Sequence, residues 1–231
     1  MRDWISFWDS DHPIYVNARH LDVHYRAIAE DIARLVPSPD ARMLDHGCGE
    51  ALHADKIAAR CAELLLCEAA PKVRARLKER FAKKSKIGVI APAEVERFPA
   101  ASLDLVIANS LVQYLSRAEF EAWLAIWRRV LKPGGRLVIA DVIGPHQNAL
   151  ADAFALLRFA AAHGFLFAAG LGLARTLFSS YRKLRAQLGL THYSEADMLA
   201  LLSRAGFAAE RLRPNLGHNQ ARMAFRAVKA G

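Results

Sequence analysis

Residues 45–51 read Asp-His-Gly-Cys-Gly-Glu-Ala and directly follow a short apolar run. Two glycines one residue apart remove the side chains that keep a ligand from the backbone, and a helix opening behind them offers unpaired N–H groups. A dinucleotide-binding fingerprint needs a third glycine where Leu52 stands, so the loop is of nucleotide type without being that fingerprint. Glu68 ends the next apolar run about 20 residues on, where a carboxylate can accept both hydroxyl protons of a ribose. Asn109 and Ser110 end the run Leu103 to Ala108, again at the edge where open α/β sheets bind ligands. His20, Tyr25 and Tyr114 carry groups able to move a proton.

These residues need a scaffold that brings strand ends together, and the apolar patterning supplies one. Short runs alternate with helical stretches, the pattern of βαβ units around a parallel sheet. The strands are expected at Ala41 to His46, Leu64 to Cys67, Ile87 to Ala91, Leu103 to Ala108 and Arg136 to Val142, with Phe207 to Leu212 and Ala221 to Val228 closing the sheet. Helices are expected from Ala51 to about Cys61, from Pro71, and from Arg117 to Leu131, the last stopped by Lys132-Pro133-Gly134-Gly135. Ser194, with Asp197 three residues on, caps one more. An aromatic N-terminal segment with Trp4, Trp8, Tyr15, His20 and Tyr25 leads into a helix ending near Val36. The expected fold is therefore α/β: a doubly wound, mostly parallel seven-stranded sheet with helices on both faces, an antiparallel C-terminal strand and a helical insertion after strand five. The parts of this single domain are a helical cap at 1–40, a cofactor-binding core at 41–143, an insertion at 144–190 and a C-terminal helix and hairpin at 191–231.

Three ordered segments resemble the class I S-adenosylmethionine-dependent methyltransferases, over about residues 40–143. Leu44 to Gly49 is similar to their first motif, Leu103 to Ile107 to their fourth-strand motif, and Leu131 to Leu137 to their fifth-strand motif. The resemblance implies S-adenosyl-L-methionine as cofactor. Asp45 with the Gly47, Cys48 and Gly49 backbone would hold its methionine end, and Glu68 with Ala69 its ribose. Asn109 and Ser110 would complete the site. The family often has Asp-Ala-Glu near the adenine, whereas this chain has Pro92-Ala93-Glu94. Proline offers neither that carboxylate nor an N–H, leaving the Ala93 backbone, with Glu94 either a substitute or a solvated helix-start residue. Ala51 replaces a loop glycine with another small residue, and Cys48 is a small residue in a tight turn rather than a nucleophile.

A sulfonium methyl group is already electrophilic, so the protein's task is alignment and exclusion of water, and a catalytic side chain is optional. A hydroxyl or carbon acid acceptor would need a base. His20, Tyr25 and Tyr114 are the candidates, with helix packing as the other reading of the first two.

The chain has 231 residues, is 53% apolar and 24% charged, and so can bury a core. Cys48, Cys61 and Cys67 form no CxxC pair, and no histidine stands at zinc-ligand spacing, which points to a reducing compartment without disulfides or a structural metal. The N-terminus has no secretory pattern, and a cytoplasmic protein is expected. Much of the +9 charge lies between Lys72 and Lys86, on the solvated face of a helix whose apolar stripe is Val73, Leu77 and Phe81.

The insertion, Ala149 to about Leu188, reads as a helical pair, uncharged from Phe159 to Ala174 and too short to span a bilayer. It is either a cap whose apolar face is core, or a lid that forms an apolar acceptor pocket or touches a membrane surface. Arg175, Arg182, Lys183 and Arg185 beside it suit peripheral contact with anionic lipid at an inner membrane face. A small or lipid-like acceptor is expected first, RNA or protein second, and a catalytically silent cofactor-binding partner subunit third.

Overall fold

The computed structural model describes residues 2–10, 15–147, 149–176 and 189–230. Seven strands form one sheet: β1 (Arg42–His46), β2 (Glu63–Cys67), β3 (Ile87–Ile90), β4 (Leu103–Asn109), β5 (Leu131–Val142), β6 (Phe207–Leu212) and β7 (Met223–Lys229). Their order is β3-β2-β1-β4-β5-β7-β6, with β7 antiparallel to both neighbours. The doubly wound α/β architecture expected from the pattern is the one observed. The order reverses between β1 and β4, so the carboxyl ends of these strands border the crevice where such sheets take ligands.

Continuous apolar strands put alternate residues on opposite faces. On β2, Leu65 and Cys67 join one core cluster, while Leu64 and Leu66 join the other. The first face is covered by α6 (Arg117–Val130) through Phe120, Trp123 and Trp127, and by α9 (Glu195–Arg204). The second is covered by α2 (Ala18–Leu35), the short α3 (Ala54–Ala58) and α4 (Pro71–Phe81), whose stripe Val73, Leu77 and Phe81 is buried. Asn17 caps α2 by accepting from His20 N at 2.8 Å, and Ser116 and Glu119 form a capping box on α6.

Three expectations are corrected. The helix after the glycine loop is only α3, because Gly49 and Ala51 hold left-handed backbone (φ 58° and 42°) that delays its start. Strand five begins at Leu131, not Arg136: Leu131 pairs with Leu103, the Lys132-Pro133-Gly134-Gly135 stretch bulges, and pairing resumes at Arg136 with Leu105. The aromatic N-terminus contains a helix of its own, α1 (Arg2–Trp8).

A four-residue helix, α5 (Pro92–Val95), follows β3. The insertion provides α7 (Ala149–His163) and α8 (Leu166–Thr176). Ala160, Phe165 and Ala169 pack with Val23 of α2 in a small third cluster. Arg182, Lys183 and Arg185 lie outside the described residues.

Candidate functional site

The carboxyl ends of β1, β2, β4 and β5 open into one cavity of about 1580 Å³, roofed by α1, α2, α7 and the β6–β7 connection. A single small-molecule site commonly takes ~300–1,000 Å³, so this space holds two ligands side by side.

At its floor the chain turns sharply after β1. Gly47 and Gly49 have φ of 80° and 58°, and a Cβ at Gly49 would stand 2.5 Å from the Tyr25 hydroxyl, so only glycine fits. Tyr25 Oη accepts from Glu50 N at 3.0 Å, tying α2 to this loop. Glu68 accepts from Gly49 N at 2.9 Å and Ala70 N at 2.8 Å, which orients a buried carboxylate between the loop and the end of β2. Burial raises its carboxyl above the ordinary range, against these backbone donors. Burial, then the nearby Glu68, pushes Asp45 up to about 7. The Cys48 thiol is also driven well up by burial, which keeps it protonated and a poor nucleophile. His46 is buried, accepts from Trp127 Nε1 at 3.1 Å, and meets Trp123 edge-on at 4.2 Å. It anchors the loop to α6.

The ends of β4 and β5 are joined by a polar bridge. Ser110 Oγ donates to Asp141 Oδ2 at 2.7 Å, and Asp141 N donates to Asn215 Oδ1 at 3.0 Å. Ser110 and Asp141 both hold left-handed backbone (φ 54° and 59°), strain that persists only where the surroundings enforce it. Asn109 Oδ1 and Gln113 Oε1 are buried acceptors with no partner among the described residues, and both residues line the cavity. An acceptor left so costs about 1–3 kcal/mol, which a ligand donor would recover.

Of the sequence candidates, Asp45, Gly47, Cys48, Gly49, Glu68, Ala69, Asn109 and Ser110 line this one cavity. Ala93 and Glu94 are exposed and off its lining, where Pro92 is present instead, and the Glu94 carboxylate accepts from Ala91 N at 2.7 Å as a helix-start cap. His20, Tyr25 and Tyr114 reach it from different sides, Tyr114 packed on Trp4 and Trp8.

Residues 44–139 match the family model described as a methyltransferase domain. Over that segment, about two fifths of the chain, the sequence is similar to methyltransferase domains. A Wolinella succinogenes relative named ribosomal protein L11 methyltransferase is 32% identical over 113 residues, covering 46% of this chain and 37% of that protein. The chain thus spans well under half the length of that relative. Among solved structures, the YcgJ protein of Bacillus subtilis aligns with a TM-score of 0.61 at 14% identity, over 90% of this chain and 100% of that one. A Leishmania major SAM-dependent methyltransferase aligns at 0.63 and 13%, over 98% and 81%. A Burkholderia thailandensis 1,6-didemethyltoxoflavin-N1-methyltransferase, holding that compound and S-adenosylhomocysteine, aligns at 0.56 and 17%, over 90% and 79%. At these identities the likeness is one of fold. The reading of motifs and the expected seven-stranded, mostly parallel sheet agree with it.

Sequence reasoning missed Tyr15, His24, Asp141, His218, Asn219 and Arg222, all on the cavity lining. Asp141 had a signal: it is the polar end of the apolar run Leu137 to Ala140, as Asn109 is of its own. His24 stands one helical turn after His20 and so shares its face. Nothing local marks His218 or Arg222, which reach the site from the loop before β7.

Among the described residues, no group of three or more His, Cys, Asp or Glu side chains is placed to hold a metal ion. Nor is any helix long and apolar enough to cross a membrane.

Proposed function

We propose that this methyltransferase binds S-adenosylmethionine across the β1–α3 loop and methylates a small, largely apolar acceptor in the same cavity. The carrying observation is the single continuous space from the glycine loop to α7. Asp45 and the Gly47 to Gly49 backbone hold the methionine end, and Glu68 with Ala69 receives the ribose hydroxyls. The unpaired Asn109 and Gln113 oxygens accept from ligand donors. The cofactor supplies an electrophilic methyl group. The protein contributes alignment and dryness: Trp4, Trp8 and Tyr114 wall one side, and Leu150, Leu156 and Leu173 cover another. Contact between α7 and the core is fixed by Asp152, which bonds Arg222 at 2.7 Å and Asn219 at 2.8 Å. The didemethyltoxoflavin enzyme of the same fold, which holds a small acceptor beside the spent cofactor, supports this reading.

Calorimetric titration tests it. The parent chain binds S-adenosylmethionine, and Glu68→Ala loses about 1.5–3 kcal/mol of affinity, the worth of a charge-assisted bond. Undiminished affinity in a folded variant sinks the Glu68 assignment, and no binding by the parent sinks the whole reading.

The outer face of α7 and α8 favours a second property, peripheral contact with lipid. Phe167 is 89% exposed and Phe154 67%, with Leu166 and Leu171 also exposed. The net charge of +9 attracts an anionic surface. In flotation, vesicles rich in phosphatidylserine carry the protein while neutral phosphatidylcholine vesicles do not, and Phe167→Asp releases it. Equal recovery with both vesicles removes the electrostatic part, and no flotation removes the contact.

A further inference from the structure

Beside the glycine loop the cavity contains a group of rings that cofactor binding leaves unexplained. His20 and His24 lie one turn apart on α2, and His218 faces them from the β6–β7 connection. The ring centroids stand 6.1 Å apart for His20 and His24, 5.7 Å for His24 and His218, and 6.4 Å for His20 and His218. Tyr15 packs against His20 and His24 at 5.4 Å each, and Tyr25 meets His24 edge-on at 5.5 Å.

Two of the three imidazoles are spoken for. His20 Nδ1 accepts from Val16 N at 3.3 Å, and its ring stacks on Phe165 at 5.1 Å. The His218 ring stacks on Phe159 at 4.5 Å with an interplanar angle of 21°. His24 differs: its Nδ1 is buried and has no hydrogen-bond partner among the described residues. The His24 ring lines the cavity beside Tyr25, its neighbour in sequence, and the loop that Tyr25 grips, so a small turn of the side chain brings the unpaired nitrogen to the proton of an acceptor seated there.

We propose that His24 is the proton-accepting residue for a small aromatic hydroxyl acceptor seated between α2 and the β6–β7 connection. The inference rests on the function proposed above and names the acceptor class for that same cavity. Three features select the class. The walls are rings, and offset or edge-on packing favours a planar ligand. Among the described residues the guanidinium groups on the lining are engaged, Arg222 with Asp152 and Arg76 and Arg80 with Glu50, so none of these cations waits for a carboxylate or phosphate acceptor. Burial holds His24 down to about 3, with His218 and His20 adding to the effect, so it is uncharged at neutral pH. So weak a base takes a proton from a phenol far more readily than from an aliphatic alcohol.

In the transfer step, an oxygen lone pair of the acceptor forms the new O–C bond, and the C–S electron pair stays on sulfur. The O–H proton passes to His24 Nδ1 and leaves to water when product departs. The titratable groups facing His24 are Tyr15, Tyr25, His20 and His218. Asp152 and Arg222 lie behind His218, and Glu50 and Asp141 behind Tyr15.

Two measurements decide it. Cofactor-free protein is mixed with 4-nitrophenol at pH 6, and the absorption band of the bound probe is recorded. A base held at about 3 accepts a hydrogen bond from the probe without ionising it, so in the parent the neutral band moves to longer wavelength, whereas in His24→Gln that movement is lost. With S-adenosylmethionine added, turnover of phenol falls at least about 100-fold in His24→Gln, the usual scale of a positioned base. Turnover of the more acidic 4-nitrophenol falls less than about tenfold, and cofactor affinity is kept. Identical spectra, equal losses on both phenols, or no methylated phenol from protein that binds cofactor overturns the proposal. Failure of the parent to bind cofactor overturns the underlying function instead, and the cofactor-free spectrum keeps the two apart. Should His24→Gln not fold, His24→Asn takes its place and the parent's own spectrum still decides.

Discussion

The two ends of the cavity are built by different means. At the glycine loop Glu68 is held between Gly49 N and Ala70 N, and Tyr25 on Glu50 N, above strands whose side chains are largely buried. At the other end, α7 and α8 pack on α2 through a small cluster, Val23, Ala160, Phe165 and Ala169 with Val16, Leu156, Leu157 and Phe159 against it, plus the ties of Asp152, and turn large apolar side chains to solvent. A site for an invariant ligand can be rigid, whereas a site for an apolar acceptor must admit and release it, and weakly packed helices open most easily. Charge divides unevenly along the same line, with one histidine at the loop end, His46, pushed down by burial to about 3, against three at the other. The loop end holds two carboxyls pushed up by burial, and the acceptor end three histidines pushed down.

Acidification is the largest lever on this contrast. His20, His24 and His218 stand at about 4, 3 and 4 in the folded protein against 6.5 unfolded. Their stability contribution is full above 6.5 and is lost as pH falls toward 4, up to about 1.4 kcal/mol per group per unit. Asp45, raised to about 7, has the opposite sign: it takes up a proton in the folded state over the same window, which favours the ligand-free fold. At pH 5, hydrogen exchange should therefore quicken in α2 and α7 before it does in β1. On the role proposed for ionised Asp45, cofactor affinity should fall by up to about tenfold per unit below 7. Uniform exchange across both ends would erase the distinction.

A pair of substitutions two residues apart comes next. Phe165 is 4% exposed and stacks on His20, while Phe167 is 89% exposed on the same helical pair. Phe165→Asp buries an unpaired charge and costs about 3–5 kcal/mol in thermal melting, while Phe167→Asp stays within about 0.5 kcal/mol. The two alternatives for this insertion, a cap whose apolar face is core and a lid over an acceptor pocket or membrane surface, thus each have a residue that probes them. Similar losses in both variants would contradict that division.

The smallest effect sharpens the rigid end. Ala51 is held at φ 42°, a region that costs a residue with a Cβ about 1–2 kcal/mol. Ala51→Gly should raise stability by about 1 kcal/mol, offset in part by unfolded-state entropy, without altering cofactor affinity. A drop in melting temperature would show that the Ala51 methyl contributes more through packing than it costs in strain.

The sequence alone determined the sheet, its crossovers and the loop end of the site. Those features are written locally: apolar runs with period two, glycines at a turn, and polar residues where strands stop, as at Asp45, Glu68 and Asn109. Ser194 and the Val73, Leu77 and Phe81 stripe were legible for the same reason. Only the tertiary structure decided which side chains face the acceptor. Tyr15, His24, Asp141 and His218 meet because α2 crosses the strand ends and the β6–β7 connection folds back over them, and such proximity leaves no periodic trace in the chain. The start of α3 likewise depended on backbone strain at Ala51, which residue type conceals. The two faces of α7 and α8 looked alike in sequence because both are apolar. Docking against α2 is what separated Phe165 from Phe167.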